Sequence, residues 1–266
     1  MSGTNYFSDL SDEQWEIVRK LLPPRAPRGR LPLDRRAVVN AIMYVIWTGC
    51  QWRALPRDFP KWQSVYTVYR RWKLAGVWNV IHDKLREQVR KAEGKKPTPT
   101  AAVIDSQTAK TSALGGDERG YDAGKKINGR KRHIAVDTLG LLLGIVVHAA
   151  SIQDQDGAKL LLNGLKNGFR RLKVLFADSA YGRSGLPEWV RQSCGWILQT
   201  VLRPVGIKGF VILPKRWIVE RTFAWITAWR RFTRDYERRS DTTETLIRIR
   251  MIHLMSRRLA AKKIAI

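Results

Sequence analysis

The feature that most constrains the fold of this chain is a change of hydrophobic rhythm at residues 93–100. Before that segment, apolar residues recur at helical spacing; after it, short apolar runs alternate with helical stretches. The segment itself, EGKKPTPT, is polar and carries two prolines, so it reads as a linker. The pattern predicts an all-helical region over 1–92 and a mixed α/β region over 101–266.

In the first region, Ser11 is placed to cap a helix over 11–22, with acidic residues in its first turn. A Pro/Gly/Arg loop over 23–32 brings Arg25, Arg28 and Arg30 close together. Residues 34–48 read as a mostly buried helix ended by Gly49, and helices over 62–74 and 77–92 are separated at Gly76. The first of these carries Tyr69, Arg70, Arg71, Trp72 and Lys73. Short connections between such helices suit a helix-turn-helix-like DNA-binding region. The alternative is a plain helical bundle with a basic surface.

After the linker, strands are expected over 101–105, 131–137 and 141–148, the last two as a hairpin through Thr138, Leu139 and Gly140. A helix over 156–169, a strand over 172–177, a helix over 186–193 and a strand over 196–201 follow. Helices over about 214–232 and 242–261 close the chain. The glycine-rich, charged stretch 112–130 reads as a mobile surface loop.

The formal charge of +26, from 49 basic and 23 acidic residues, points to a polyanionic substrate. Double-stranded DNA is the expected partner, and an anionic membrane surface is the weaker reading. The longest apolar stretches, such as 141–147, are too short to span a bilayer. The start of the chain lacks a basic stretch followed by an apolar run, so no secretory signal is read there. Cys50 and Cys194 make no disulfide framework or zinc spacing, and a cytoplasmic location is expected. The four histidines are scattered and form no metal cluster in sequence.

Against this basic background, three acids stand in well-marked contexts: Asp105 at the end of AAVID, Asp178 after LKVLFA, and Glu220 in KRWIVERTFAW. Cutting a phosphodiester needs in-line attack by an oxygen while charge builds on the leaving oxygen, and two divalent ions can stabilise both ends of that displacement. Magnesium, or manganese in its place, takes hard oxygen ligands and few protein side chains. Three carboxylates converging at one edge of a sheet suffice for two ions. At 100° per residue, Arg216, Ala224, Thr227, Arg231 and Arg234 lie within about 40° of Glu220, opposite Ile218, Trp225, Trp229 and Phe232. Each acid has a plainer alternative: a turn or cap for the aspartates, and an i,i+4 ion pair with Arg216 for Glu220. Asp137, Asp154 and Asp156 also follow strands and compete; periodicity does not choose among them.

Two basic clusters are candidates for phosphate contact: Lys125, Lys126, Arg130, Lys131 and Arg132, then Arg230, Arg231 and Arg234. Trp217, Trp225 and Trp229 are aromatic candidates for stacking on a displaced base, with core packing the alternative for the last two.

Long stretches of the chain resemble bacterial insertion-sequence transposases of the DDE class, of the insertion-sequence-five type. They include LSDEQWEIVRKLLPP, GCQWRALPRDFPKWQSVY, IDSQTAKT, RGYDAGKKINGRKRHIAVDTLGLLLGIVVHAASIQDQDGA, FADSAYG and GFVILPKRWIVERTFAWITAWRRFTRDYE. The resemblance implies an RNase H-like α/β core behind a helical DNA-binding region. It also implies a catalytic, metal-holding triad at Asp105, Asp178 and Glu220, and DNA cleavage and strand transfer at terminal inverted repeats. Pairing two element ends implies a homodimer or larger assembly on DNA. The related insertion-sequence-four signature sets a Tyr, an Arg, the Glu and a Lys along one helix. Here Arg216 matches the Arg, Leu213 replaces the Tyr and Thr227 replaces the Lys, leaving Arg231 as the substitute cation. A non-catalytic DNA-binding regulator and an RNase H-like nuclease acting on branched DNA are the competing readings.

Overall fold

Capping chemistry sets the ends of the N-terminal helices. In α1 (Asp12–Arg19), the Ser11 hydroxyl accepts from the Gln14 N–H at 3.3 Å, while the Gln14 side chain accepts from the Ser11 N–H at 3.0 Å. Asp34 caps α2 (Arg35–Thr48), which ends at Gly49. Gly49 has φ 75, and a Cβ there would stand 3.3 Å from the Arg230 backbone, so the turn and the close approach both call for glycine. Then come α3 (Trp62–Leu74) and α4 (Val77–Ala92), matching the expected bounds.

The computed structural model describes residues 6–24, 33–112, 115–183, 185–201 and 215–264, and the chain divides into two units. Arg25, Arg28, Arg30 and Leu213 lie outside the described residues. The first unit comprises Met1–Lys95, Thr227–Thr233 and Thr245–Ile266. Its core is the apolar body of α2, from Val38 to Ile46, with Val65, Tyr69 and Trp72 of α3 and Ile81, Leu85 and Val89 of α4. Trp72 and Trp78 meet edge-on at 5.4 Å. Trp229, Phe232, Met251, Ile252 and Met255 are buried in the same unit. The sequence reading kept 101–266 together, whereas this grouping returns 227–233 and 245–266 to the N-terminal helices.

The second unit, Lys96–Ile226 and Arg234–Glu244, holds the sheet. Its strands are β1 (Ala101–Lys110), β2 (Gly120–Asp122), β3 (Ile127–Asp137), β4 (Leu142–Ala149), β5 (Val174–Asp178) and β6 (Ile197–Val201). The order is β2-β3-β1-β5-β6, with β4 also on β3. β3 runs antiparallel to β1 and β4, whereas β5 and β6 run parallel to β1. The parallel strands are reached through α5 (Asp154–Leu165) and α6 (Leu186–Cys194). Ala102 and Ile104 of β1 and Leu175 and Ala177 of β5 pack with α5 and α6 residues such as Leu161, Leu162, Leu186 and Val190. Val103 and Phe176 have the opposite parity and face the other way. On that other face, the Lys215 ammonium lies 3.6 Å from the Phe176 ring centroid, just before α7 (Arg216–Thr227). This is the RNase H-like mixed α/β core expected from the sequence.

Several element bounds differ from expectation, three of them near the polar strand, the glycine-rich stretch and the end of α7. β1 runs on through the polar residues Ser106–Lys110, because β3 pairs with it as far as Lys110↔Gly129. The stretch 112–130 contains β2 and the start of β3. The helix expected over 214–232 stops at Thr227, because Trp229 takes an extended backbone (φ −96, ψ 128) before a separate 3-10 turn, Arg230–Phe232. Among the described residues no helix is long and apolar enough to cross a membrane.

Candidate active site

The β1–β5 register pairs Ala101 with Val174, Ala102 with Leu175 and Val103 with Phe176. Carried forward two residues, this offset of 73 sets Asp105 level with Asp178, and residues level on neighbouring strands share a face. That face carries Val103 and Phe176, with α7 beside it. Glu220 lies on α7, one turn beyond Arg216, and the Arg216 guanidinium joins the elements. Its Nη1 is 2.7 Å from Asp178 Oδ2, and its Nε is 3.3 Å from Glu220 Oε1. The second contact lacks hydrogen-bond alignment, and Nε has no hydrogen-bond partner.

The two aspartates are held differently. Asp178 Oδ1 accepts from the Ser179 hydroxyl at 2.8 Å and the Ala180 N–H at 3.2 Å, so β5 ends in a capped turn that fixes this carboxylate. Asp105 Oδ1 accepts from its neighbour's N–H, at Ser106, at 2.7 Å. Although Asp105 is only partly buried, desolvation pushes its carboxyl up to about 6. The Asp178 charge pushes the same way, while the Ser106 N–H, Arg216 and Lys125 pull against it.

The basic residues separate sharply. Arg130 is fully buried and spends its guanidinium within the unit. It donates to the carbonyls of Glu118, Gly115, Glu237 and Arg238 and to Asp235 Oδ1 at 3.2 Å. Arg132 is buried beside Asp235, and Lys131 is buried against Asp154 at 3.2 Å. Arg231 is buried in the first unit, where it donates to the Cys50 carbonyl at 2.8 Å. These four are buried rather than surface cations, and Arg231 does not lie on the Glu220 helix as the periodicity suggested. Lys125, Lys126, Arg230 and Arg234 are exposed. Lys125 sits on a turn pinned by Asp122, and its ammonium reaches the Thr108 hydroxyl at 3.4 Å.

Trp229 is buried, Trp225 half-buried and Trp217 exposed, with the Arg221 guanidinium lying over both Trp217 and Trp225. Of the competing acids, Asp137 is fully buried and its Oδ1 accepts the Leu139 and Leu141 N–H groups of the β3–β4 turn. Asp154 faces the other side of β1, where it accepts from Ser106 and meets Lys131. His133 and His148 share a 2.9 Å ring contact beside it, and a Cβ at Gly157 would come within 2.4 Å of both rings. Sequence reasoning missed this buried network, because its members are spread from 106 to 157.

The family model described as "Transposase DDE domain" matches residues 96–255, more than half of the chain. The chain belongs to the DDE transposase family. A second model, described as "Putative transposase of IS4/5 family", matches residues 10–82 of this transposase. The transposase is 35% identical over 114 residues to the "Insertion element IS402 uncharacterized 16.2 kDa protein" of Burkholderia cepacia, covering 40% of this chain and 76% of that one. It is 32% identical over 69 residues to the "Uncharacterized protein y4sN" of Sinorhizobium fredii, covering 26% of this chain and 55% of that one. The chain thus spans about half the length of the second relative.

A transposase with a DDE domain is a DNA-cutting enzyme, and its family normally uses a divalent metal. Among the described residues no three Asp, Glu, His or Cys side chains are grouped closely enough to hold a metal as they stand. The donor chemistry nevertheless fits Mg2+ or Mn2+, since all three acids offer hard oxygens. Two of them already share a cation, the Arg216 guanidinium.

Proposed function

We propose that this transposase binds the terminal inverted repeats of an insertion sequence, cuts at the element's ends and joins those ends to target DNA. The observation that supports this reading is that Arg216 contacts both Asp178 and Glu220, while the β1–β5 register sets Asp105 level with Asp178. In this reading Asp105, Asp178 and Glu220 hold two divalent ions, Mg2+ or Mn2+. When bound, such ions stabilise negative charge on the phosphodiester and activate the attacking oxygen.

The chain's own residues supply position and charge. Asp178 is fixed by its capped turn, and Asp105 is fixed by β1. Lys125 and Arg216 are cations whose charge acts on the Asp105 carboxyl, and in this reading they meet the phosphate being cut. Cleavage forms a bond from a water oxygen to phosphorus and breaks the bond to the 3′ oxygen, which leaves as a hydroxyl after taking up a proton. That hydroxyl then attacks a target phosphodiester in the same way. No covalent protein intermediate is needed, so no Ser or Tyr nucleophile is assigned.

Lys125, Lys126, Arg230 and Arg234 contact DNA phosphates, and the exposed Arg70 and Arg71 of α3 extend the basic surface of the helical region over 1–92. Two ends held together call for at least a homodimer on DNA. The test is a cleavage and joining assay on DNA carrying the element's own inverted repeats. Nicks and joined products that need Mg2+ or Mn2+ and vanish on chelation are expected. Repeat-specific binding with no metal-dependent cut would favour a regulator, and cuts without joined products would favour a nuclease.

A further inference from the structure

Arg216 is the first residue of α7, where the helix macrodipole disfavours a cation. Its position is therefore explained by the acids it meets rather than by the helix. It makes one short contact, to Asp178, and one unaligned contact, to Glu220. Its side chain is 32% exposed, so a path to solvent is open. Asp178 keeps its orientation without Arg216, because Oδ1 is held by Ser179 and Ala180. The guanidinium thus occupies the counter-ion position between two acids, and it can leave without releasing Asp178 from its turn.

We propose that Arg216 is an internal counter-ion that bars divalent metal from Asp178 and Glu220 until a DNA phosphate draws it away. This rests on the reading that these acids hold metal. A guanidinium binds phosphate and carboxylate with the same fork geometry, so an arriving phosphodiester competes directly for it. Metal and DNA then bind with positive coupling, and the coupling is reciprocal. The device keeps the metal-loaded site rare on a protein without DNA.

The test is Mn2+ binding to the full chain, followed by the loss of the free-ion electron paramagnetic resonance signal. It is run with and without a short mixed-sequence duplex, with uptake by duplex alone subtracted. Wild type is expected to bind Mn2+ about tenfold more tightly when duplex is present, equivalent to about 1.4 kcal/mol. Arg216→Gln is expected to bind about tenfold more tightly than wild type without DNA, and to gain little from duplex. A gain of affinity does not arise from misfolding, and adding Asp178→Asn to Arg216→Gln should remove it. If Arg216→Gln leaves DNA-free affinity unchanged or weaker while Asp178→Asn lowers it, the counter-ion role is wrong and the metal site stands. If Asp178→Asn and Glu220→Gln leave Mn2+ binding untouched, the metal site fails and the counter-ion role with it.

Discussion

Asp105 and Asp178 stand level on neighbouring parallel strands, two residues beyond the Val103↔Phe176 pair. Desolvation pushes the Asp105 carboxyl up to about 6, and repulsion from Asp178 adds to that cost. Without metal, Asp105→Asn should therefore stabilise the protein at neutral pH, by about 1–3 kcal/mol. It should also remove cleavage, the usual exchange of stability for a strained active site. Paired urea melts of wild type and variant check this; a variant that melts earlier would count against the crowding.

Arg130 and Asp235 form an ion pair with both side chains fully buried. Asp235 also accepts from Thr243, and its backbone runs beside the end of β1 at Thr111. Removing one partner strands a buried charge, so Asp235→Ala is expected to cost about 3–5 kcal/mol. Guanidinium chloride denaturation measures it, and a loss under about 1 kcal/mol would show the pair is not structural.

The elements that carry the three proposed acids were legible, because apolar runs mark β1 before Asp105 and β5 before Asp178, and an apolar stripe marks α7 around Glu220. The choice of these acids over Asp137, Asp154 and Asp156 came from the family resemblance and not from the pattern. The fate of Arg130 and Arg132 was not legible. In sequence they extend a basic run with Lys125 and Lys126, yet their acidic partner Asp235 lies more than a hundred residues away. The end of α7 was misread for a related reason. Trp229 and Phe232 continue the apolar rhythm, but they are buried in the other unit and follow a break in the helix. The polar half of β1 was missed because Ser106–Lys110 owes its strand form to β3, not to its own residues.

Lys125 and Lys126 remain exposed while Arg130, Lys131 and Arg132 turn inward. Replacing either with Ala should lower the magnitude of the log K against log salt slope by about 0.9 and leave stability unchanged. Fluorescence anisotropy across a salt series reads the slope. An unaltered slope for both variants would mean that this turn only faces solvent.

All four histidines resist protonation. Burial and neighbouring positive charge hold His133 and His253 down to about 3, and burial lowers His82 and His148 as well. The unfolded chain takes up these protons near the ordinary value of about 6.5, where the folded protein refuses them. Stability is therefore full above that value and declines as pH falls toward about 3. Asp105 acts oppositely, since its protonation below about 6 relieves a buried charge, but one carboxyl opposes four imidazoles. Tm should drop between about pH 7 and about pH 5, and His253→Leu should reduce the drop. A level Tm across that window would contradict the burial of neutral imidazoles.

The central claim is that Asp105, Asp178 and Glu220 serve one metal-dependent reaction on DNA. The most direct measurement is strand transfer by Asp178→Asn on the element's own repeats, with DNA binding measured on the same sample. The account predicts binding near the wild-type level and joined product at background in both Mg2+ and Mn2+. Joined product at the wild-type rate from Asp178→Asn would contradict it.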